Sequence, residues 1–358
     1  MITYGEVEKL RSSWVADQSV LSLYVYVPAS AGLGELQVRA ADLIQAATEL
    51  TPDALHREDE VAARRALGQL AGEWPGYTLG IFVSEQLGLL DVVQLPGRFA
   101  ERAVLATRPH LRPVLAALER YPDHRIVVID DRHAWLFTVA GDRIEVVTRV
   151  PAEAAPIAAF GGWYLEPSDD RQRVTELAPH RCADAAAILD RQARHGDSRP
   201  LVVGGHADTV SRLLPRAVMT EYAGSFAADP GALTLAMARE LAVPVISHWA
   251  EQRESQLVQA VTARRPGKLT AVGLEECLAA VNAGSADLLL TADEPIVPGF
   301  HCERCGVLSV SSAGCCDWGA ASWPVPDLLE EMVWRMLHAG RQVVSARTLQ
   351  CTAAAWLQ

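Results

Sequence analysis

Apolar positions recur along the chain with two periods, one suited to strands and one to helices. Val20-Leu21-Ser22-Leu23-Tyr24-Val25-Tyr26-Val27, closed by Pro28, is rich in apolar and β-branched residues and predicts a strand. Helical spacing follows over about 35–50 and 58–72, and strand patterns return at Thr78–Ser84 and Val92–Gln94. A short helix from Val114 to Arg120 leads into a buried strand, Arg125 to Asp130. A turn at Asp131-Arg132, a strand from Ala134 to Val139, the Gly141-Asp142 turn and a strand from Ile144 to Val150 predict an antiparallel meander. Next come a helix over about Arg171 to Arg194, a strand at Leu201 to Val203, a helix from Asp208 to Leu214 and a strand from Ala217 to Tyr222. From Asp229 to about Arg264 the pattern is mainly helical, with a break expected at Pro244. A helix from Leu274 to Ala283, ended by Asn282-Ala283-Gly284, precedes the strand Ala286 to Thr291. A helix from Asp327 to His338 and a strand from Gln342 to Ser345 complete the series. Such alternation predicts an α/β (α+β) protein. Its expected domains are an N-terminal α/β module over 1–118, a middle domain over 119–228 and a C-terminal α/β domain over 229–358.

Composition narrows the functional classes. The chain has 358 residues, half of them hydrophobic and 21% charged, which is ample for two or three packed cores. No apolar run approaches bilayer-spanning length, and Met1 to Leu10 mixes Glu and Lys with apolar residues, unlike a secretory signal. A cytoplasmic protein that avoids membranes is expected, as a monomer. The net charge of −12 argues against a dedicated basic nucleic-acid binder but leaves room for local basic faces.

The candidate chemistry lies mostly in the second half. Phe160-Gly161-Gly162-Trp163 follows an Ala/Pro-rich stretch, Pro151 to Ala159, that is too interrupted for a regular element. Paired glycines allow close backbone approach to another surface, and a mobile loop between strand and helix is a usual place for function. The helix that follows carries Arg171, Arg173, Arg181, Arg191 and Arg194 against Glu176, Asp184 and Asp190, so it is locally basic. A solvated helix face and phosphate contact both account for it.

Four of the seven cysteines fall between Cys302 and Cys316. Cys302-x-x-Cys305-Gly306 has the form of half a zinc site, two thiolates across a tight turn. In Gly314-Cys315-Cys316-Asp317-Trp318-Gly319, Cys315 and Gly319 fit a second half, but Trp318 stands at the fourth thiolate position. Cys302, Cys305, Cys315 and Cys316 are the candidate ligands of a degenerate zinc ribbon inserted over 299–320, with His301 and Asp317 as substitutes. The alternatives are a metal-free ribbon packed by Trp318 and a redox role for Cys302 and Cys305. Asp130-Asp131-Arg132-His133 reads better as a hairpin turn than as a metal site. Gly204-Gly205-His206-Ala207-Asp208 is a weak phosphate-cradle candidate without the lysine and hydroxyl of a P-loop.

Several of these segments together resemble a known family. The strands Arg125 to Asp130 and Ala134 to Val139, the glycine loop, Leu201 to Gly205 and Leu213-Leu214-Pro215 resemble the middle domain of archaeal and eukaryotic class I peptide-chain release factors and Pelota. Gly273-Leu274-Glu275-Glu276-Cys277, Val281-Asn282-Ala283-Gly284, Ala286 to Leu290 and Val325-Pro326-Asp327-Leu328-Leu329-Glu330-Glu331 extend the resemblance to the last domain. The chain looks like their bacterial, Balon-like homologues over about 110–358.

The resemblance implies three domains, with an RNase H-like middle domain and a C-terminal α/β/α sandwich. It implies a ribosomal A-site occupant whose Gly161, Gly162 and Trp163 reach the peptidyl-transferase centre, while Arg171, Arg173 and Arg181 meet rRNA. A translational GTPase is the further partner it suggests. Release factors carry Gln where this chain has Trp163, and an indole has one N–H donor and no acceptor with which to place a water. No catalytic residue is therefore assigned. The expected role is non-catalytic, in hibernation, rescue or stress. The alternatives are an active peptidyl-tRNA hydrolase and a fold-only relative that binds something else, which the acidic balance favours.

Overall fold

The computed structural model describes residues 4–12, 18–51, 56–130, 134–141, 143–150, 182–229, 233–263, 269–312 and 321–357. The chain divides into two compact units, Met1–Glu119 with Arg253–Gln358, and Arg120–Gln252. It is a mixed α/β protein with several separate sheets.

In the first unit, helix α1 (Tyr4–Ser12) precedes β1 (Val20–Tyr26), α2 (Leu33–Leu50), α3 (Arg57–Leu70), β2 (Tyr77–Ser84), β3 (Leu89–Pro96) and β4 (Arg102–Ala106). The four strands form an antiparallel sheet in the order β3-β2-β1-β4. Leu21, Leu23 and Val25 of β1 face the apolar stripes of α2 and α3, among them Leu36, Ile44, Ala63 and Leu67. Val20 and Tyr24 point the other way, into a second core. A strand buried on both faces accounts for the near-continuous apolar run at 20–27, broken only by Ser22. Strand β4 has no counterpart among the sequence expectations, because its apolar run, Ala103 to Ala106, is only four residues long and half alanine.

That second core is shared with the C-terminal segment. It takes Val114 and Leu118 from α4 (Arg112–Arg120), Cys277 and Val281 from α8 (Leu274–Ala283), and Leu329, Met332 and Trp334 from α9 (Leu328–His338). Behind α8 and α9 lies a sheet ordered β10-β16-β11-β15, made of β10 (Thr270–Val272), β11 (Ala286–Ala292), β15 (Gln342–Ala346) and β16 (Ala353–Leu357). Strands β11 and β15 are parallel, and β16 runs antiparallel to β10 and β11. Val261, near the end of α7 (Leu235–Thr262), covers the opposite face with Leu288, Leu290 and Ala354. This is the α/β/α sandwich expected. Its central β16 was not foreseen, because Ala353-Ala354-Ala355 has little intrinsic strand preference and is held by the strands on either side. Strands β12 (Gly299–Cys302), β13 (Leu308–Ser309) and β14 (Ser322–Val325) form a small sheet, β13-β12-β14.

A buried polar cluster ties the two segments of this unit together. Arg112 is fully buried, and its Nη1 donates to Asp327 Oδ2 at 2.5 Å and to the Pro295 carbonyl at 3.0 Å. Its Nη2 donates to the carbonyls of Ala292 (2.5 Å) and Asp293 (3.1 Å). Glu330 accepts from the backbone N–H groups of Leu111 (2.7 Å) and Arg112 (3.2 Å). Asp327 Oδ1 caps α9 through Leu329 N at 3.1 Å and also accepts from Val297 N at 3.2 Å. The Trp334 indole donates to the Pro109 carbonyl at 3.0 Å. Residues 109–112 are thus gripped from one side by α9 and from the other by β1, where Ser22 Oγ accepts from His110 N at 2.9 Å and Tyr24 Oη donates to His110 O at 2.5 Å.

The second unit is built on β5 (His124–Ile129), β6 (Ala134–Ala140), β7 (Arg143–Val150), β8 (Leu201–Gly205) and β9 (Tyr222–Phe226), in the order β7-β6-β5-β8-β9. Strands β5, β6 and β7 form the antiparallel meander, and β8 and β9 add in parallel beside β5. That is the RNase H-like arrangement. Helix α5 (182–194) and α6 (Ala207–Leu213) cover one face through Cys182, Leu189, Val210 and Leu213, and α7 covers the other through Ala238, Ala242 and Ile246. Two expectations fail here. Helix α7 runs on through Pro244 without a break, since Ala238, Ala242 and Ile246 are held in the core on both sides of the missing N–H. The last strand begins at Tyr222 rather than Ala217: residues 217–220 turn after α6, with Ala217 N donating to Leu213 O and Thr220 N to Ala217 O.

Two stability predictions follow from the first unit. Arg112→Met leaves Asp327 buried without its guanidinium and is expected to cost about 3–5 kcal/mol in urea unfolding. Asp327 has a lowered pKa: burial alone would raise it, but the hydrogen bond from His110 and the charge of Arg112 outweigh burial. Its contribution is therefore present above the unfolded carboxyl range and lost as pH falls through the lower folded value. Glu119 behaves in the opposite sense. Burial raises its pKa to about 7 against the pull of Arg253, with Glu254 adding to the rise. The folded state then binds the extra proton, so this contribution is full below about pH 4.5 and lost as pH rises toward 7. Glu119→Gln is expected to flatten the stability profile between those values and to exceed the parent's stability at pH 8, as followed by thermal unfolding.

Candidate functional site

The topology of the second unit gathers the ends of its candidate loops at one edge. Ile129, the last residue of β5, lies beside Ala134 of β6 and Gly205 of β8. Ala134 in turn pairs with Val150, the last residue of β7. Cys182, the first residue of α5 described, places its Sγ 3.9 Å from the Thr209 carbonyl, within the first turn of the helix that follows β8. The chain therefore leaves the sheet at Val150 and returns at Cys182 on the same side, at the carboxyl ends of the parallel strands. Asp130 and His206 sit at that edge as well. Gly161, Gly162, Trp163, Arg171, Arg173 and Arg181 fall within this connection and lie outside the described residues, as do Asp131, Arg132 and His133.

The Gly204-Gly205 pair has a packing explanation. A Cβ on Gly204 would lie 2.6 Å from the Phe226 ring, and one on Gly205 would lie 2.3 Å from the Ile129 carbonyl oxygen. Gly205 also has φ +150°. The glycines thus bring β8 close to β5 and β9, and α6, with seven residues, is too short to form an anion site of consequence.

The cysteine segment forms a ribbon in the first unit. Its first turn closes through Gly306 N donating to Cys302 O at 2.9 Å and Cys302 N donating to Val307 O at 3.0 Å, with Gly306 at φ +72°. Cys302 is buried and Cys305 exposed. The His301 imidazole also lies near this turn, its pKa lowered by burial and by Arg335. Asn282 of α8 clamps the ribbon. Its Oδ1 accepts from Leu308 N at 3.0 Å and its Nδ2 donates to Leu308 O at 2.9 Å, as a neighbouring strand would. Arg335 of α9 donates to Asn282 Oδ1 at 2.9 Å and to the Gly306 carbonyl. Cys315 and Cys316 lie outside the described residues.

A second acidic–histidine group emerges only in three dimensions. His110 Nε2 lies 3.2 Å from Asp327 Oδ2 and 3.6 Å from Glu330 Oε2, all buried. Asp327 is held below the ordinary carboxylate range, whereas burial raises Glu330. Arg112 already supplies a cation at the Asp327 oxygen that faces His110, so these residues do not fit a metal ion. The adjoining cavity is about 10 Å³, enough for a water and not for a substrate. The group is structural. Its signal in the sequence was the capping Asp327 of Pro326-Asp327-Leu328, and nothing in His110-Leu111-Arg112 marked its partners.

Residues 109–244 match the model of "Bacterial archaeo-eukaryotic release factor family 10". This segment resembles the archaeo-eukaryotic release factors. The match begins at the His110–Arg112 segment and ends inside α7, so it takes in the whole RNase H-like sheet and its loop edge. No curated protein matches the chain. Among solved structures, the chain is similar to archaeal translation termination factor aRF1, at 15% identity and TM-score 0.25, covering 99% of this chain and 96% of that one. It is similar also to archaeal Pelota described as ribosome-bound with ABCE1, at 15% identity and TM-score 0.41, covering 99% and 94%. A third is S. cerevisiae Dom34, described as a translation termination-like factor interacting with Hbs1, at 10% identity and TM-score 0.39, covering 99% and 92%. Likenesses at that level of superposition add nothing to the family match. Among the described residues, no helix is long and apolar enough to cross a membrane.

Proposed function

We propose that this release-factor relative is a ribosome-binding factor that occupies the A site without hydrolysing peptidyl-tRNA. One observation carries the reading. Within the segment that matches the family, the Gly161-Gly162-Trp163 connection is anchored at both ends on the carboxyl edge of the RNase H-like sheet. That is where a loop projected toward a large partner would be mounted. The glycines supply close approach, and Trp163 supplies a face on which an rRNA base stacks in place of a water-positioning amide. Arg171, Arg173 and Arg181 would meet phosphates beside it. A role in hibernation, rescue or stress follows from occupancy without release, and a translational GTPase is the natural delivering partner.

Co-sedimentation with bacterial ribosomes and a release assay on programmed ribosomes test this together. The expected result is association at low salt with no peptidyl-tRNA hydrolysis. Trp163→Ala is expected to weaken association by roughly tenfold, within the range of one lost base–aromatic stack of about 1–3 kcal/mol. Hydrolysis that vanishes on Gly162→Ala would replace this reading with an active release factor. Absence from ribosomes at low salt would leave a fold-only relative.

We also propose that the ribbon binds one zinc ion, with Cys302 and Cys305 as two ligands and Cys315 and Cys316 as the other candidates. The zinc would act as a structural tie with no reaction to perform. Metal analysis of protein purified without chelator is expected to give one zinc per chain, released by Cys302→Ser. A metal-free parent chain would identify the ribbon as held by Asn282 and Arg335 alone.

A further inference from the structure

The second unit carries a basic face at some distance along the chain from the glycine loop. Helices α5 and α6 lie on the same side of the sheet and run in the same direction. Cys182 meets Thr209 near their starts, and Met219 N donates to Asp190 Oδ1 at 3.3 Å near their ends. This pairing segregates charge. Asp184 and Asp208 are exposed at the starts of the two helices, whereas Arg191 and Arg194 of α5 and Arg212 and Arg216 of the α6 segment are exposed toward the ends, where Asp190 is half-buried and engaged by Met219 N. Cations at helix C-termini suit the backbone dipole, and Arg216 does donate to the Arg212 carbonyl at 2.6 Å. The dipole leaves their charge unneutralised, however. Among the described residues no carboxylate pairs with any of these four arginines, while Arg39, Arg64, Arg112 and Arg199 each have one. Val218 and Met219, 78% and 55% exposed, follow directly and add an apolar edge to the face.

We infer that this α5–α6 face is a phosphate-backbone-binding surface for RNA, separate from the loop edge. Two pairs of arginines one helical turn apart present four cations to a polyanion in a chain whose net charge is −12. Such a face holds an acidic protein on RNA despite its overall charge, because neutralised phosphates release counterions locally. The inference rests on the ribosome-binding reading for its choice of RNA over an acidic protein surface.

The test uses the full chain and a fluorescein-labelled 24-base-pair RNA duplex titrated across a series of KCl concentrations, with 70S ribosomes in parallel. The variant replaces Arg191, Arg194, Arg212 and Arg216 by Gln; a control replaces Arg57 and Arg65, exposed in the first unit. Circular dichroism and thermal unfolding establish that each variant folds. The quadruple variant is expected to lose about tenfold or more in affinity for both targets. Its log–log salt slope should flatten by roughly 3, four contacts at about 0.7–0.9 each. The control should match the parent. Duplex binding by the quadruple variant equal to the parent's would overturn the inference, as would a parent chain that prefers a polyglutamate peptide. Ribosome binding that persists in the quadruple variant but is lost in Trp163→Ala would overturn this inference and leave the proposed function standing. Duplex binding that needs the four arginines, without ribosome association, would do the reverse.

Discussion

The contact between Arg112 and Asp327 sets the architecture of the larger unit. The two residues are 215 positions apart, fully or nearly fully buried, and at hydrogen-bond distance. A buried ion pair is costly unless its remaining donors and acceptors are satisfied. Here the two Nη groups have three carbonyls besides Asp327, leaving only Nε of the guanidinium without a partner among the described residues, and Asp327 also serves as the N-cap of α9. A single carboxylate thus starts a helix and joins the beginning of the chain to its end. Apolar packing of Leu111, Val114 and Trp334 around it supplies the favourable free energy, and the polar cluster determines which surfaces meet.

The smaller unit follows a different logic. Its sheet is assembled by close backbone approach, with Gly204 and Gly205 letting β8 sit against β5 and β9. The arrangement leaves one edge for loops and one helical face for solvent. On the proposed readings, function on this unit depends on what is attached to each: the glycine–tryptophan connection at the carboxyl edge and the arginines on the α5–α6 face.

Periodicity made most of the fold legible. The meander, the α/β/α sandwich and the strand β1 all announce themselves through apolar runs and turn residues. The exceptions share one cause, tertiary override of local preference. Ala353–Ala355 becomes a strand because two strands flank it, and α7 passes Pro244 because residues on either side are buried. The site was less legible. Glycine loop and cysteine turn are visible as motifs because their chemistry is local in sequence. The His110–Asp327–Glu330 group is assembled from distant residues, and its members look like ordinary polar positions until the fold joins them. That no carboxylate among the described residues pairs with Arg191, Arg194, Arg212 or Arg216 is equally a property of surroundings, which composition cannot report.

The grip of Asn282 on Leu308 bears on what the ribbon needs from a metal. Because an amide from the sandwich acts as one more strand, and β12 pairs on both sides, the described part of the ribbon is held by protein hydrogen bonds in its own right. A metal at its first turn would add to that hold rather than create it.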